Sequence, residues 1–546
     1  MSCYTNDIDS DDTSPLVHEV IGNVSDVPPG TKKIFEVKDR KILVINDNGT
    51  YYAVNGLCSH YNFPLENGVY SKGRIRCPLH GACFNVKTGD IEDYPGYDSL
   101  HTFEVKERDG QLIINTTEKK LESDRRVRKF KKTKPCNDIP IVVIGSGPAV
   151  ATFIEHSRIN GLVTPILVLT EENWTPYDRV LLSKNPVLTG DQIQLRKDDF
   201  YTERNVEFRR NSKVVSVNPC QREVQTEDGS VIRFSKLVIA SGAHVRKLNV
   251  PGANFPNIHY LRRVEEANRI ANESKDKRVV IIGASFIGME VASALVANAK
   301  SVTVISSSPE PLPVFGQDVG KGVRTKFEER GVKFVLGGHV KGLSGISEAN
   351  KVFLDNGDEI DGDIFIVGIG VEASTKFLEG TKVQLDKRGF ILVDKHFRTT
   401  AEFVYAIGDV TSFPLPQWDI DTINIQHFQM AQLHGQYLGY SIVGKPQPAP
   451  IVPYFWSLFF FAIGIKFSGC AQGYDKEIVH GKPETEPFVK YYLKNKRVVA
   501  VCAHGPSNAA IEFEELFRRG VHVTSDQVKK NKDDNWQYLL DGHVQK

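Results

Sequence analysis

The sequence predicts a multidomain fold in which a small all-β domain precedes two Rossmann-like α/β domains. Its 546 residues are enough for three or four domains of ordinary size. Short runs of alternating apolar and polar residues near the N-terminus predict the β domain. Further on, a continuous apolar run followed by a glycine turn and a helical pattern occurs twice. Each copy predicts a buried parallel strand feeding a dinucleotide-binding helix.

The β domain is expected over 15–117. Runs such as Lys33 to Val37, Lys41 to Ile45 and Gln111 to Asn115 are separated by the turn formers Asp47-Asn48-Gly49 and Asp109-Gly110. Between these strands lie Cys58, His60, Cys77 and His80 in the spacing C-x-H-x16-C-x2-H, at turns rather than on helices. A soft thiolate paired with an imidazole, twice over, is a metal-holding pattern. Two thiolates on one iron and two neutral histidines on the other is the Rieske form of a 2Fe-2S cluster. A structural zinc ion is the competing occupant, but nucleic-acid-type zinc fingers pair like ligands with like, and here each pair is mixed. The stretch from Cys77 through Pro78, Leu79, His80, Gly81, Ala82 and Cys83 to Asn85 resembles the Rieske ferredoxin family. Respiratory members carry two further cysteines where this chain has Phe63 and Leu79, so the resemblance is to the soluble, lower-potential branch. Cys83 reads as a small buried side chain beside the cluster.

The totals exclude several classes. With 68 basic and 67 acidic residues, no global field indicates a nucleic-acid or acidic-lipid partner. Eight cysteines in this length form no dense disulfide framework and suit a reducing compartment. Residues 1–14 carry four Asp and no Lys or Arg. That is unlike a mitochondrial presequence or a secretory signal, and by itself it predicts a cytoplasmic protein. The longest apolar segment, from Pro453 to Ile465, is too short for a spanning helix and reads as a buried aromatic segment. Residues 118–138 include the basic run from Arg125 to Lys134 and read as a solvated tether, whose about 20 residues span roughly 25 Å.

At Ile139 the pattern changes. The run from Ile139 to Ile144 leads into Gly145-Ser146-Gly147, and a helix opens at Pro148. Gly145 and Gly147 let the backbone bend and approach a pyrophosphate, which then sits at the positive end of the helix. Val150 stands where a third glycine usually allows close helix-to-strand packing, so it is expected to push the helix outward. The next strand ends at Glu171 and Glu172, placed to accept from ribose hydroxyls. The second copy runs from Arg278 to Ile282 into Gly283-Ala284-Ser285 and Gly288. Its following strand ends in Ser306 rather than in an acid, and no Arg stands there, so neither NADH nor NADPH is favoured. Later, Gly408-Asp409 closes a strand with a carboxylate suited to a hydroxylated chain. A first cofactor domain, an inserted second and a return to the first is the pattern of flavin-dependent nicotinamide oxidoreductases.

Residues 139 to about 520 resemble the ferredoxin-reductase-like flavoproteins through Thr175-Pro176-Tyr177-Asp178-Arg179, Leu182-Ser183-Lys184, Leu237 to Gly242, Asp363 to Gly370 and Ala406 to Asp409. With the preceding Rieske motif, and with Gly283 to Glu290, His427 to Ala431 and Val452 to Trp456, the chain resembles the Rieske-bearing, mitochondrion-associated branch of the apoptosis-inducing-factor-like proteins. The resemblance implies FAD bound by 139–265 and 391–446, a nicotinamide bound by 266–390, and a C-terminal α+β domain over 447–546. In relatives that last domain covers the flavin or forms an interface, which implies a homodimer contact. The resemblance also places Arg179, Lys184, Val215, Asp409, His427 and Trp456 at FAD and pairs Glu290 with Lys184 beside it, with Gly370 at the end of its motif. Phe428 stands where the family usually has Trp.

Disulfide reductases of this architecture use a cysteine pair near the flavin, but no Cys lies between Cys136 and Cys220. The expected function is therefore an oxidoreductase in which NADH or NADPH reduces FAD, the Rieske cluster takes the electrons singly, and an unidentified acceptor, such as a protein, receives them. The alternative implied by the resemblance is a redox-responsive signalling protein with incidental turnover. No 2-His-1-carboxylate iron domain is evident, which excludes a Rieske oxygenase.

Overall fold

A computed structural model describes residues 13–130 and 138–541. They form two compact units: residues up to 130 pack with those from 507 on, and the stretch between forms the second.

In the first unit, six antiparallel strands run in the order Leu16–Asn23, Gln111–Thr117, Thr102–Arg108, Thr50–Asn55, Arg40–Asp47, Lys32–Val37. The predicted turns close tight hairpins because Asn48 and Gly49 take φ of 52° and 95°, and Asp109 and Gly110 take 53° and 77°. These residues tolerate the left-handed region that such turns require. A second sheet, Val69–Ser71, Arg74–Arg76, Cys83–Asn85 and Ile91–Asp93, carries one cluster loop. Leu43, Ile45, Val54, Leu65, Ile75 and Phe84 pack with Cys58 and Cys77 in the core between the sheets.

Residues 118–130 are not a free tether. Glu118–Leu121 is a helical turn capped by Thr117, Arg126 pairs with the backbone of Ser99, and Arg126 and Arg128 reach Asp90 at 2.6 and 3.3 Å. The basic run found acidic and carbonyl partners on its own domain, which a count of like charges does not reveal. Residues 131–137 of the expected tether and 1–12 of the N-terminus lie outside the described residues.

The expected C-terminal domain over 447–546 contributes to both compact units. Its antiparallel sheet, ordered Tyr454–Phe459, Ile463–Gly469, Arg497–His504, Phe488–Lys494, Lys476–Gly481, belongs to the second unit. The helices Ala509–Arg518, Ser525–Lys530 and Gln537–Leu540 belong to the first. On the first helix, Glu514 and Glu515 both contact the buried Arg76, and Ile511, Phe513, Leu516 and Phe517 are buried alongside them.

The second unit holds two parallel sheets. One runs Val206–Arg209, Ile166–Leu169, Ile141–Ile144, Lys236–Ile239, Val404–Ala406, so the chain does return to its first sheet after the insertion. The other runs Ile258–Tyr260, Ile364–Val367, Arg278–Ile282, Ser301–Ser306, Val332–Leu336. Its edge strand Ile258–Tyr260 begins before the expected boundary at 266, because three residues carry too little periodicity to be read as a strand. Helix Phe428–Ser441 crosses helix Pro148–Ile159 closely: a Cβ at Gly435 would lie 2.1 Å from Ala149 O. The aromatic segment from Pro453 to Ile465 is mostly buried as a β-hairpin, with Phe461 exposed at its turn. No helix among the described residues is long and apolar enough to cross a membrane.

Candidate active site and metal centre

Two matching turns build the metal centre. Asn62 N–H donates to Cys58 O at 2.9 Å, and Gly81 N–H donates to Cys77 O at 3.1 Å. Cys58 and Cys77 are both 1% exposed, and their thiols are hydrogen-bonded to each other. His60 Nδ1 faces His80 Nδ1 at 3.1 Å. Burial, with Arg125 nearby, lowers the His60 pKa to about 3, which keeps a lone pair available. The four predicted ligands are thus brought together, sulfur beside sulfur and nitrogen beside nitrogen. This donor set fits a 2Fe-2S cluster with a thiolate iron and an imidazole iron. Cys83 is fully buried and burial pushes its thiol up to about 12, so it stays protonated.

In the second unit a cavity of roughly 560 Å3 is lined by Gly145, Ser146, Gly147, Glu171, Glu172, Arg179, Lys184, Ser285, Glu290, Gly370, Asp409, His427 and Trp456, among others. Gly145 has φ +105°, and a Cβ there would lie 2.3 Å from Ala240 O, so the fold itself requires glycine. Gly147 differs: a Cβ would meet nothing within 4 Å. The space above Gly147 is a cradle at the start of helix Pro148–Ile159, where backbone amides and the helix dipole suit a pyrophosphate. The site therefore fits a dinucleotide. Val150 is fully buried in that helix.

The two acids after strand Ile166–Leu169 are not equivalent. Glu172 accepts from Tyr177 Oη at 2.6 Å and pairs with Arg179 at 2.5 Å, whereas Glu171 is the more exposed and meets Arg263 at 3.0 Å. Glu172's burial would raise its pKa, but Arg179 and the Tyr177 hydroxyl outweigh it and hold the carboxyl low. Burial raises the Asp409 pKa, with Arg262 and Arg179 opposing. His434 Nδ1 accepts from Gly408 N–H at 3.2 Å and fixes the turn that presents Asp409.

Lys184 is ion-paired with Glu290, and both are buried. The carboxylate also accepts from Ser183 Oγ at 2.5 Å and Ser457 Oγ at 2.8 Å. The ammonium lies 5.4 Å from the Trp456 ring centroid. His427 Nδ1 accepts from Gln429 N–H, and burial lowers its pKa to about 4, so the ring is neutral.

The structure alters the expectation for Val215. Val215 is 40% exposed and outside the cavity, while Val214 lines it. Alternation along strand Val214–Asn218 turned the expected residue outward. Gly283 and Gly288 are not among the residues lining that cavity, though Ser285 between them is; a Cβ at Gly288 would lie 2.0 Å from Gly283 O, so glycine there lets the helix approach the turn closely. Ser306 is buried, with its hydroxyl accepting from Ser308 N–H at 3.1 Å. Ser183, Ser457, Arg262 and Arg263 went unpredicted. Only Ser183, inside the Leu182-Ser183-Lys184 motif, carried a local signal.

The Rieske [2Fe-2S] domain model matches residues 18–104, the pyridine nucleotide-disulphide oxidoreductase model 139–435, and the reductase C-terminal model 454–535. Apoptosis-inducing factor 3 of Homo sapiens is 33% identical over 520 residues, which is 94% of this chain and 86% of that protein. Rubredoxin-NAD(+) reductase of Ectopseudomonas oleovorans is 30% identical over 66% of this chain and 94% of its own length. The crystal structure of the covalent putidaredoxin reductase–putidaredoxin complex matches the fold over 74% of this chain and 98% of that chain with a TM-score of 0.69 at 24% identity. Motif, geometry and kinship agree: the chain belongs to the pyridine nucleotide-disulphide oxidoreductase family, as a ferredoxin-reductase-like NAD(P)H oxidoreductase with FAD and an N-terminal Rieske 2Fe-2S domain, the architecture it shares with apoptosis-inducing factor 3.

Proposed function

We propose that the protein takes reducing equivalents from NAD(P)H and delivers them, through its flavin and its Rieske cluster, to an external one-electron acceptor. The supporting observation is that no cysteine is among the residues lining the cavity, although the chain supplies a cluster-binding set elsewhere. Among the described residues no thiol lines the cavity where related folds use a thiol relay, and the chain carries its own one-electron centre.

FAD supplies the chemistry that couples a two-electron hydride donor to single-electron transfer. The residues do the rest. Gly145 to Ala149 would hold the pyrophosphate on backbone amides, Glu171 would accept from the ribose, and Asp409 would accept from the hydroxylated chain. Lys184 would place a positive charge beside a bound flavin, favouring its negatively charged reduced form, and Glu290, held by Ser183 and Ser457, would keep that ammonium in position. His427, kept neutral by burial, shapes the same wall without adding charge.

The test compares wild-type protein with Cys77→Ser, both loaded with FAD. Reduction of a one-electron protein acceptor by NADH should fall at least tenfold in the variant, while the rate of flavin bleaching by NADH stays within twofold. Equal acceptor rates would remove the cluster from the route. Slow bleaching of the wild type, with a long-lived charge-transfer band, would favour the signalling reading.

A further inference from the structure

A buried charge cluster connects the second cluster loop to the C-terminal helix. Arg76 directly precedes the ligand Cys77 and is 1% exposed. Its Nη1 donates to Gly81 O at 2.7 Å, inside the turn that carries Cys77 and His80. The same Nη1 meets Glu514 at 2.7 Å, and Nη2 meets Asp93 at 2.6 Å and Glu515 at 2.5 Å. Arg74 and Arg518 reach the same Asp93 at 2.6 and 3.0 Å. Glu514, Glu515 and Arg518 all lie on helix Ala509–Arg518, which packs within the same unit.

We infer that Arg76 is the positioning residue of the second cluster loop, and that Glu515 and Asp93, by compensating its charge, set how readily the cluster accepts an electron. An Arg fork fixes direction as well as charge, so the Gly81 carbonyl is held by a group whose other edge is clamped by carboxylates. Reduction adds a negative charge to a buried centre whose potential depends on net charge and hydrogen bonding around it. A bare guanidinium one residue from Cys77 would favour the reduced state; the carboxylates in contact with it cancel most of that field.

Cys83, Asp93 and Glu515 also bring ligand-type atoms within 4.8 Å of one another. Three arginines already supply the positive charge there, and the Cys83 thiol stays protonated, so the cluster of acids is a counter-charge and not a cation site. Burial raises the Glu514 pKa to about 8, with Arg76 opposing, whereas Arg76 and Arg74 outweigh burial at Glu515 and keep it ionised. Two ionised acids, Asp93 and Glu515, therefore face Arg76. The inference does not depend on where the cluster's electrons come from.

The experiment is a dithionite titration of the full-length, cluster-loaded protein followed by electron paramagnetic resonance, with iron and sulfide measured in each sample. Glu515→Gln should move the cluster midpoint to more positive potential, and Arg76→Gln should move it to more negative. Arg76→Lys, which restores charge without the fork, should recover the potential but show altered g-values and faster loss of iron to a chelator. Shifts of the same sign, or no shift in iron-replete Glu515→Gln protein, would overturn the inference. Should Arg76→Gln hold no iron, Arg518→Gln replaces it in the comparison, with the same opposite signs expected and the same outcomes decisive.

Discussion

Lys184 Nζ is ion-paired with Glu290 Oε1, joining the helical turn Leu181–Lys184 of the first dinucleotide domain to helix Phe286–Leu295 of the second. Both groups are buried, so each depends on the other: a buried pair adds little net stability, yet breaking it leaves an uncompensated charge that costs about 3–5 kcal/mol. Lys184→Ala and Glu290→Ala should each slow flavin reduction by NADH, and the double variant should be less impaired than the sum. Stopped-flow rates on FAD-replete proteins should give a coupling of about 1 kcal/mol or more. Additive effects would make the pair an ordinary ion pair.

The glycines of the first turn should separate folding from binding. Gly145→Ala faces both φ +105° and a 2.3 Å approach to Ala240 O, and should lower stability by about 2 kcal/mol or more. Gly147→Val meets open space in the protein, so the FAD-free melting temperature should stay close to wild type while the FAD dissociation constant rises at least tenfold, about 1.4 kcal/mol. Calorimetry and flavin titration on both variants check the contrast.

Two buried histidines predict a pH dependence. Burial lowers the His427 pKa to about 4 and the His434 pKa to about 3. Each folded-state value lies below the unfolded one, so the unfolded chain binds more protons and stability is present above about pH 6.5 and lost as pH falls toward the folded values. At pH 5 the loss is about 2 kcal/mol per histidine. The stability gap between wild type and His434→Gln, measured by denaturant unfolding of the FAD-free protein, should therefore shrink by about that amount between pH 7 and pH 5. A constant gap would mean that the ring is solvated.

Strand alternation supplies a further check. Val214→Ala should weaken FAD binding by several-fold, because that residue lines the cavity, whereas Val215→Ala at the exposed neighbour should leave it unchanged. The reverse ranking would restore the expectation drawn from resemblance.

The parts of the fold with local signatures were legible in the sequence. Asn48-Gly49 and Asp109-Gly110 wrote their turns in residues that accept positive φ. The runs Ile141–Ile144 and Ile166–Leu169 read as buried parallel strands because every residue in them is apolar, and all are buried. Cys58, His60, Cys77 and His80 were legible because few residue types ligate metal. What escaped were long-range pairings of common residue types. Arg76 and Glu515 are 439 residues apart, and Glu290 meets Ser457 across 167. A serine or glutamate carries no mark of its partner, so the packing of 507–541 within the first unit was invisible. Val215 failed for a different reason: with a two-residue period, an error of one position reverses the face.

The proposed route is tested most directly by mixing the anaerobic full-length protein with one equivalent of NADH, freezing on the millisecond to second scale, and recording electron paramagnetic resonance without mediators. A Rieske-type signal should grow to at most one spin per chain as the reduced flavin gives up one of its two electrons, at a rate independent of protein concentration. Flavin that stays reduced beside a cluster that dithionite can still reduce, but NADH cannot, would contradict it.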